Sequence, residues 1–215
     1  MSEDGLTGWV KQWIDGWVVS RGAADPVEEP WGWTIAVGLP KEVSRHVVPA
    51  PVEAEADVRK LAATAPPATW LKLFAPDEVV RPWAGDDWET GIAGFLMTRS
   101  LVPAPAGPPP TGYTVTSWSR GGVIKTLVRA GDGRLAARGQ VGLAGRTAVP
   151  DQIETDPDHR RRGLGALVMR TLQNAAWEAG ARDGVLVATP DGRALYEALG
   201  WTHRAPMASL ARRAD

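Results

Sequence analysis

Residues 152–165 read QIETDPDHRRRGLG, and three arginines stand directly before a Gly-Leu-Gly. Arg160, Arg161 and Arg162 are cationic donors able to clamp an anion. Gly163 and Gly165 carry no side chain, so a ligand can come close to the backbone there. The segment leaves a strand, turns at Asp156-Pro157 and opens a helix whose first residues include Leu164 and Ala166. Helix N-termini leave N–H groups unpaired and carry about half a positive charge, which suits a phosphate or diphosphate. Two other phosphate loops do not fit. A P-loop needs Gly-Lys-Ser/Thr, and a dinucleotide fingerprint needs Gly or Ala where Val168 stands. A solvated run of charge is the plain alternative for the arginines.

Such a loop needs elements to hold it. The pattern predicts a strand over 147–155, with Pro150 inside it as a mark of a bulge or an unpaired stretch. Strict alternation puts Gln152 and Glu154 on one face of that strand, and Asp151 and Ile153 on the other. A helix follows over 163–179, with Leu164, Leu167, Val168 and Leu172 on one face and Gly180 as its stop. Then come a strand at 185–188, a helix at 193–199 and a strand at 201–210. Asp191 is the expected cap of that second helix. Strands over 113–118, 123–129 and 135–143 precede the loop. Residues 102–112, VPAPAGPPPTG, hold five Pro and two Gly and read as a semi-rigid linker between 1–101 and 113–215.

The first half opens with Leu6, Trp9, Val10, Trp13, Ile14, Trp17 and Val18 at helical spacing. That stripe is expected to pack the core of its own half. Strands over 31–37, 45–48, 70–74 and 91–97 and helices over 52–65 and 77–83 follow. Residues from Trp70 and from Val185 echo one another: strand, Pro-Asp, short helix, Trp, strand. The echo reads as a degenerate duplication or as two similar units alike by chance.

Arg160-Arg161-Arg162-Gly163-Leu164-Gly165 resembles the Arg/Gln-x-x-Gly-x-Gly/Ala signature of the GCN5-related N-acetyltransferase (GNAT) superfamily. Its context agrees. The strand leaves through residues 155–159, and Leu195-Tyr196-x-x-x-Gly200-Trp201 resembles the family's Leu-Tyr-x-x-x-Gly-Phe element. The resemblance covers about 113–210, and the first half reads as a degenerate, Trp-rich copy. It implies an α/β (α+β) fold: a GNAT-like mixed twisted sheet flanked by helices. It implies acetyl-CoA as co-substrate, its diphosphate on residues 160–166 and its pantetheine arm along Ile153, Glu154 and Thr155. The reaction implied is direct attack of a primary amine on the thioester. Glu154 is the implied base, with Asp151 and Gln152 as rivals, because an ordinary Lys-like amine ionises at about 10.4 and must lose its proton. Tyr196 is the implied donor to the departing thiolate. Thr189 stands where relatives carry an Asn that touches the cofactor, which puts that contact in doubt. Only residues 119–122 separate the first two strands after the linker, so the two helices that roof the family's acceptor site are missing there. The first half or a second subunit is expected to replace them. A non-catalytic acyl-CoA sensor on the same fold is the alternative.

Composition narrows the rest. The 215 residues carry 24 Lys and Arg against 25 Asp and Glu, which argues against a nucleic-acid binder. No Cys is present and the three His lack ligand spacing, so neither a thiol nucleophile nor a metal is expected. No apolar run spans a membrane and the start lacks a basic leader, so a cytoplasmic protein is expected. The acceptor is expected to be a small-molecule or peptide amine. Eleven Trp leave room for an exposed homodimer surface.

Overall fold

Twelve strands join in one mixed sheet in the computed structural model, which describes residues 3–213. The first half supplies α1 (Glu3–Arg21), β1 (Val27–Glu29), β2 (Gly32–Leu39), β3 (Glu42–Val48), α2 (Glu55–Thr64), β4 (Thr69–Leu73), α3 (Asp77–Val80), β5 (Trp88–Thr90) and β6 (Gly94–Ser100). The second half supplies β7 (Tyr113–Arg120), β8 (Val123–Ala130), β9 (Leu135–Ala144), β10 (Thr147–Thr155), α4 (Leu164–Glu178), β11 (Asp183–Ala188), α5 (Pro190–Ala198) and β12 (Thr202–Arg212). The spatial order is β1-β2-β3-β4-β12-β6-β11-β10-β9-β8-β7, with β5 on the end of β12. The fold is the expected mixed, twisted α/β sheet flanked by helices.

The order crosses the linker. β6 lies between β11 and β12, antiparallel to both. β12 in turn runs on to pair with β4 through Ala208↔Leu73 to Ala211↔Trp70. Each half therefore ends in a strand that completes the other half's part of the sheet. The linker is not loose: Gln173 donates to the Val102 carbonyl, and Asn174 holds Ala104 at both its N–H and its C=O.

α1 carries the expected Trp stripe, but its partners come from both halves. Trp13, Trp17, Val10 and Ile14 pack in one core with Trp33 and Val47 of the first half and Val149 and Val185 of the second. The helix can sit this low because glycine meets glycine. A Cβ on Gly142 of β9 would lie 2.0 Å from the Gly16 carbonyl oxygen, and one on Gly16 would lie 2.3 Å from Val149. Burying Trp, Ile and Val against strands of both halves at once, at about 25 cal/mol per Å² of apolar area, drives this docking.

The opposite face takes the other helices. α4 packs Leu164, Val168 and Leu172 on Ile124, Val128 and Ala137. α2 packs Val58 and Ala62 on Leu71, Leu73 and Leu210. α5 brings Tyr196 onto Leu186 and Met97. Gly22, Gly180 and Gly200 follow the helices α1, α4 and α5 with positive φ, as stops of left-handed conformation do. The short strands β1 and β5 carry too few residues to show a period. Among the described residues no helix is long and apolar enough to cross a membrane.

Candidate active site

β10 and β11 run parallel, yet they pair only at Thr147↔Asp183 and Ala148↔Gly184. Beyond that point they part. Pro150 lies in the parted stretch and still faces Val141 of β9. A register shift between Asp151 and Glu154 follows, with Gln152 at φ +53°. This bulge overturns the alternation expected from sequence. The extra residue puts Asp151 and Glu154 on the α1 face together, while Ile153 turns to the α4 face, beside Val168.

The loop below the parting is pinned from inside. Asp156 accepts from the Asp158 N–H, closing a single 3-10 turn over Pro157–His159. Gly163 caps α4 at φ +76° with nothing near its absent Cβ, and a Cβ on Gly165 would sit 3.1 Å from Leu195. The first turn of α4 holds no acidic residue to offset its positive end. Leu164 is buried beneath it. Arg160 reaches back to the Thr155 carbonyl, and its exposed side chain helps to line a hollow of about 360 Å³ with Arg138, Glu154 and Thr155. Arg161 is exposed at φ +61°.

Arg162 differs from the reading of three equivalent arginines. Its guanidinium donates to the Tyr113 hydroxyl at 2.8 Å and to the Asp158 carbonyl at 3.1 Å. The Tyr113 hydroxyl also meets Nδ1 of the buried His159 at 2.9 Å. Tyr113, on β7, thus ties two residues of the loop to the edge of the sheet. No sequence signal near the loop marks it, since it lies 46 residues from His159.

The two carboxylates have different company. Asp151 accepts from Ser20 at 2.9 Å and, in two bonds, from Arg21 at the C-terminus of α1. Gln140 holds the same α1 end through the Ser20 carbonyl. Burial works against charge on Arg21, but the hydrogen bonds and charge of Asp151, with Glu42 and Glu154, outweigh it and raise its pKa. Glu154 pairs with Arg138 at 2.9 Å and is mostly exposed. Trp17 stacks beneath Arg45 at 3.9 Å, and Arg45 is paired with Glu42. A helix of the first half therefore covers the face on which Asp151 lies.

Tyr196 is buried edge-on to Trp201 at 6.3 Å, and Ile153 packs against the same cluster. Burial, and next the negative charge of Asp151, push its phenol up to about 12. Thr189 is the N-cap of α5, accepting from the Gly192 N–H at 3.2 Å. That corrects the cap expected from Asp191: Pro190 opens the helix three residues earlier than the spacing suggested. The Thr189 hydroxyl is thereby engaged by its own helix. Among the described residues no group of three or more His, Cys, Asp or Glu side chains is placed to hold a metal ion.

A family model described as Acetyltransferase (GNAT) family matches residues 57–201. The chain belongs to that GNAT family. The folds of solved structures agree. A GCN5-related N-acetyltransferase from Kribbella flavida superposes with TM-score 0.68 at 18% identity, over 98% of this chain and 96% of that one. A GCN5-related N-acetyltransferase-like protein from Streptococcus suis gives 0.61 at 13% identity, over 99% and 100%. A tandem GNAT protein from the clavulanic acid biosynthesis pathway gives 0.54 at 13%, over 96% and 94%. No protein of curated function matches the sequence. GNAT proteins are acyltransferases that use an acyl-CoA co-substrate, and the loop fits its diphosphate. Open space stands at Gly163, a bare helix start follows, and two exposed arginines flank it.

Proposed function

We propose that this protein is an N-acetyltransferase that moves the acetyl group of acetyl-CoA to a primary amine by direct attack on the thioester. The observation that carries this is the parting of β10 from β11 directly above the Gly163-led start of α4. The backbone N–H groups of residues 163–166 hold the diphosphate, with Arg160 and Arg161 as clamps. Arg162 supports the loop through Tyr113 instead of touching the ligand, and Thr189 supports α5. The backbone of Ile153, Glu154 and Thr155 lines the pantetheine arm. Bound there, acetyl-CoA supplies an activated acetyl group.

The acceptor amine enters on the face covered by α1. Of the two carboxylates, Asp151 is the better placed to hold the amine and take its proton, because its charge reaches Tyr196 at the parted strands. Glu154, the choice from sequence, sits further out with Arg138. Three of the roughly four lone-pair sites on Asp151 are taken by Ser20 and Arg21, which leaves one for the amine or an intervening water. Tyr196 keeps its proton at neutral pH. A phenol near 12 gives a proton to a thiolate of conjugate pKa about 8.5 only against a gradient of three to four powers of ten. Its service to the leaving sulfur is therefore a hydrogen bond more than a full transfer. The reading places the protein in the cytoplasm and leaves small-molecule and peptide amines as acceptors.

Arginines engage both carboxylates, and that favours a second reading, a sensor that binds acyl-CoA without turnover. Calorimetric titration with acetyl-CoA tests the first step. Binding on the order of micromolar, lost in Gly163→Trp and kept in Tyr196→Phe, is expected. No binding at millimolar acetyl-CoA would end both readings. Turnover on a panel of amines then separates them: a loss in Asp151→Asn exceeding that in Glu154→Gln supports catalysis as assigned, whereas binding with no turnover leaves the sensor.

A further inference from the structure

The sheet ends in two unlike edges. At one end β1 is three residues long, carries Glu28 and Glu29, and lies between Pro26 and Pro30. Short length, charge and proline are the usual protections of an edge against pairing. At the other end β7 runs eight residues with no proline and with Arg120 as its one charged residue. Among the described residues it pairs only with β8.

The register tells which groups face outward. Gly121 and Gly122, both at positive φ, form a two-residue turn between Arg120 and Val123. Such a turn makes its flanking residues a hydrogen-bonded pair, and the pairs then alternate down the ladder. Residues 114, 116, 118 and 120 thus bond to β8. Val115, Ser117 and Ser119 point their N–H and C=O away from it. The outward N–H of Tyr113 is already bonded to the Pro110 carbonyl. Trp118 lies beside this free row and is 43% exposed.

We propose that β7 is a homodimer surface, and that a second copy pairs with it antiparallel about a twofold axis at Ser117. In this register Ser117 faces the partner's Ser117 and Val115 faces the partner's Ser119. All six outward main-chain groups are then bonded. An axis at Thr116 would need the Tyr113 N–H, which is spent. Trp118 faces the partner's Thr116, an aromatic and β-branched pair of the kind that stabilises sheets, and the two Trp118 rings are diagonal neighbours at about 7–8 Å between Cα atoms. Arg120 faces the partner's Thr114, so no like charges oppose each other. Val115 also gains the side of a hollow of about 520 Å³ lined by Ser119, Ile124 and Ala175. A closed twofold contact uses up both edges and cannot grow into a fibre.

Sedimentation velocity on the full chain, with protein up to about 100 μM, tests this. The expected mass is twice the 23.0 kDa of one chain. Ser117→Pro and Ser119→Pro remove outward N–H groups that the β8 ladder does not use, so both should remain folded by circular dichroism and sediment as monomers. Trp118→Lys leaves the backbone alone and should weaken the dimer about five- to tenfold. Hydrogen exchange on the wild type needs no variant: the Val115, Ser117 and Ser119 amides should be protected at high concentration and exchange freely on dilution. A wild-type monomer at about 100 μM overturns the proposal. So does a dimer whose dissociation constant is unchanged in Trp118→Lys, or one that leaves those three amides unprotected.

Discussion

The chain contains two parallel strand pairs joined by a helix, β3–α2–β4 and β10–α4–β11, and they differ where a ligand would sit. The first pair is closed: Ser44↔Thr69 through Val48↔Leu73 pair without a break. The second opens after two residues. The helix of the first starts at Ala54 with no side-chain cap, and Glu55 and Asp57 fill its first turn. Those carboxylates already neutralise the positive helix end and would repel an anion. The helix of the second starts at a bare Gly163 behind arginines. Charge follows the same division. Residues 1–101 carry 9 Lys and Arg against 15 Asp and Glu, and residues 102–215 carry 15 against 10. A near-neutral total thus hides an acidic half and a basic half, and only the basic one suits a diphosphate.

The comparison requires that neither pair stands alone, because β6 and β12 are exchanged between them. Residues 102–215 made alone would lack β6 from between β11 and β12, and would expose Val149 and Val185, now covered by α1. The expected outcome is the largest of any change: an unfolded fragment by circular dichroism, with no acetyl-CoA binding. The intact chain should melt in one transition with equal calorimetric and van't Hoff enthalpies. Two separate transitions would show two independent halves.

The closed pair also carries a charge that the open one lacks. Lys72 of β4 is buried, donates to Ser209 Oγ at 2.6 Å, and lies 4.3 Å over Trp70. Burial first, then the charge of Arg45, brings its pKa down from 10.5 to about 7, with Glu42 opposing. A folded value below the unfolded one means that protonation favours unfolding. Stability contributed this way is complete above the unfolded pKa and is lost as pH falls through the window to about 7, at about 1.4 kcal/mol per pH unit. Lys72→Met should raise stability by roughly 5 kcal/mol below that window and by little above it. Denaturant melts across pH check this, and a gain independent of pH would mean that packing, not charge, is the cause.

What could be seen in the sequence follows from how local each signal is. The bounds of α4 were readable because a left-handed Gly163 and Gly180 punctuate a 3.6-residue stripe. The loop, too, was readable as a glycine-led helix start behind exposed arginines, since its glycines and arginines are consecutive. The company of Asp151 was not. The bulge at Gln152 shifts the phase of β10 by one residue, and no alternation rule announces a bulge. The exchange of β6 and β12 was hidden because strand order depends on pairings about a hundred residues apart. The Trp stripe showed that α1 buries one face, but not which half receives it. Gly16 and Gly142 decide that, and either glycine alone is unremarked in sequence.

Within the open pair, the effects sort by contact with the reacting atoms. In the proposed mechanism Tyr196→Phe would remove one hydrogen bond to the leaving sulfur, and it should lower kcat about 10- to 100-fold, below the full range of an acid catalyst. Acetyl-CoA affinity should hold within about twofold, as steady-state and equilibrium measurements together would show. An unchanged kcat would return Tyr196 to a packing role.

The smallest effect belongs to Tyr113, which lies outside the open pair but braces its loop. Its hydroxyl joins Arg162 and His159, so Tyr113→Phe deletes two hydrogen bonds while keeping the ring that packs beside Val115. At about 1 kcal/mol net for a typical bond, the loop should loosen enough to weaken acetyl-CoA binding about five- to tenfold. The chemical step is untouched, so kcat should stay level while KM for acetyl-CoA rises. Arg162→Lys keeps the charge but not the forked donor, and should match Tyr113→Phe instead of adding to it. Additive losses in the double variant would show that Arg162 reaches the ligand directly, and the diphosphate would then be held by three arginines and not two.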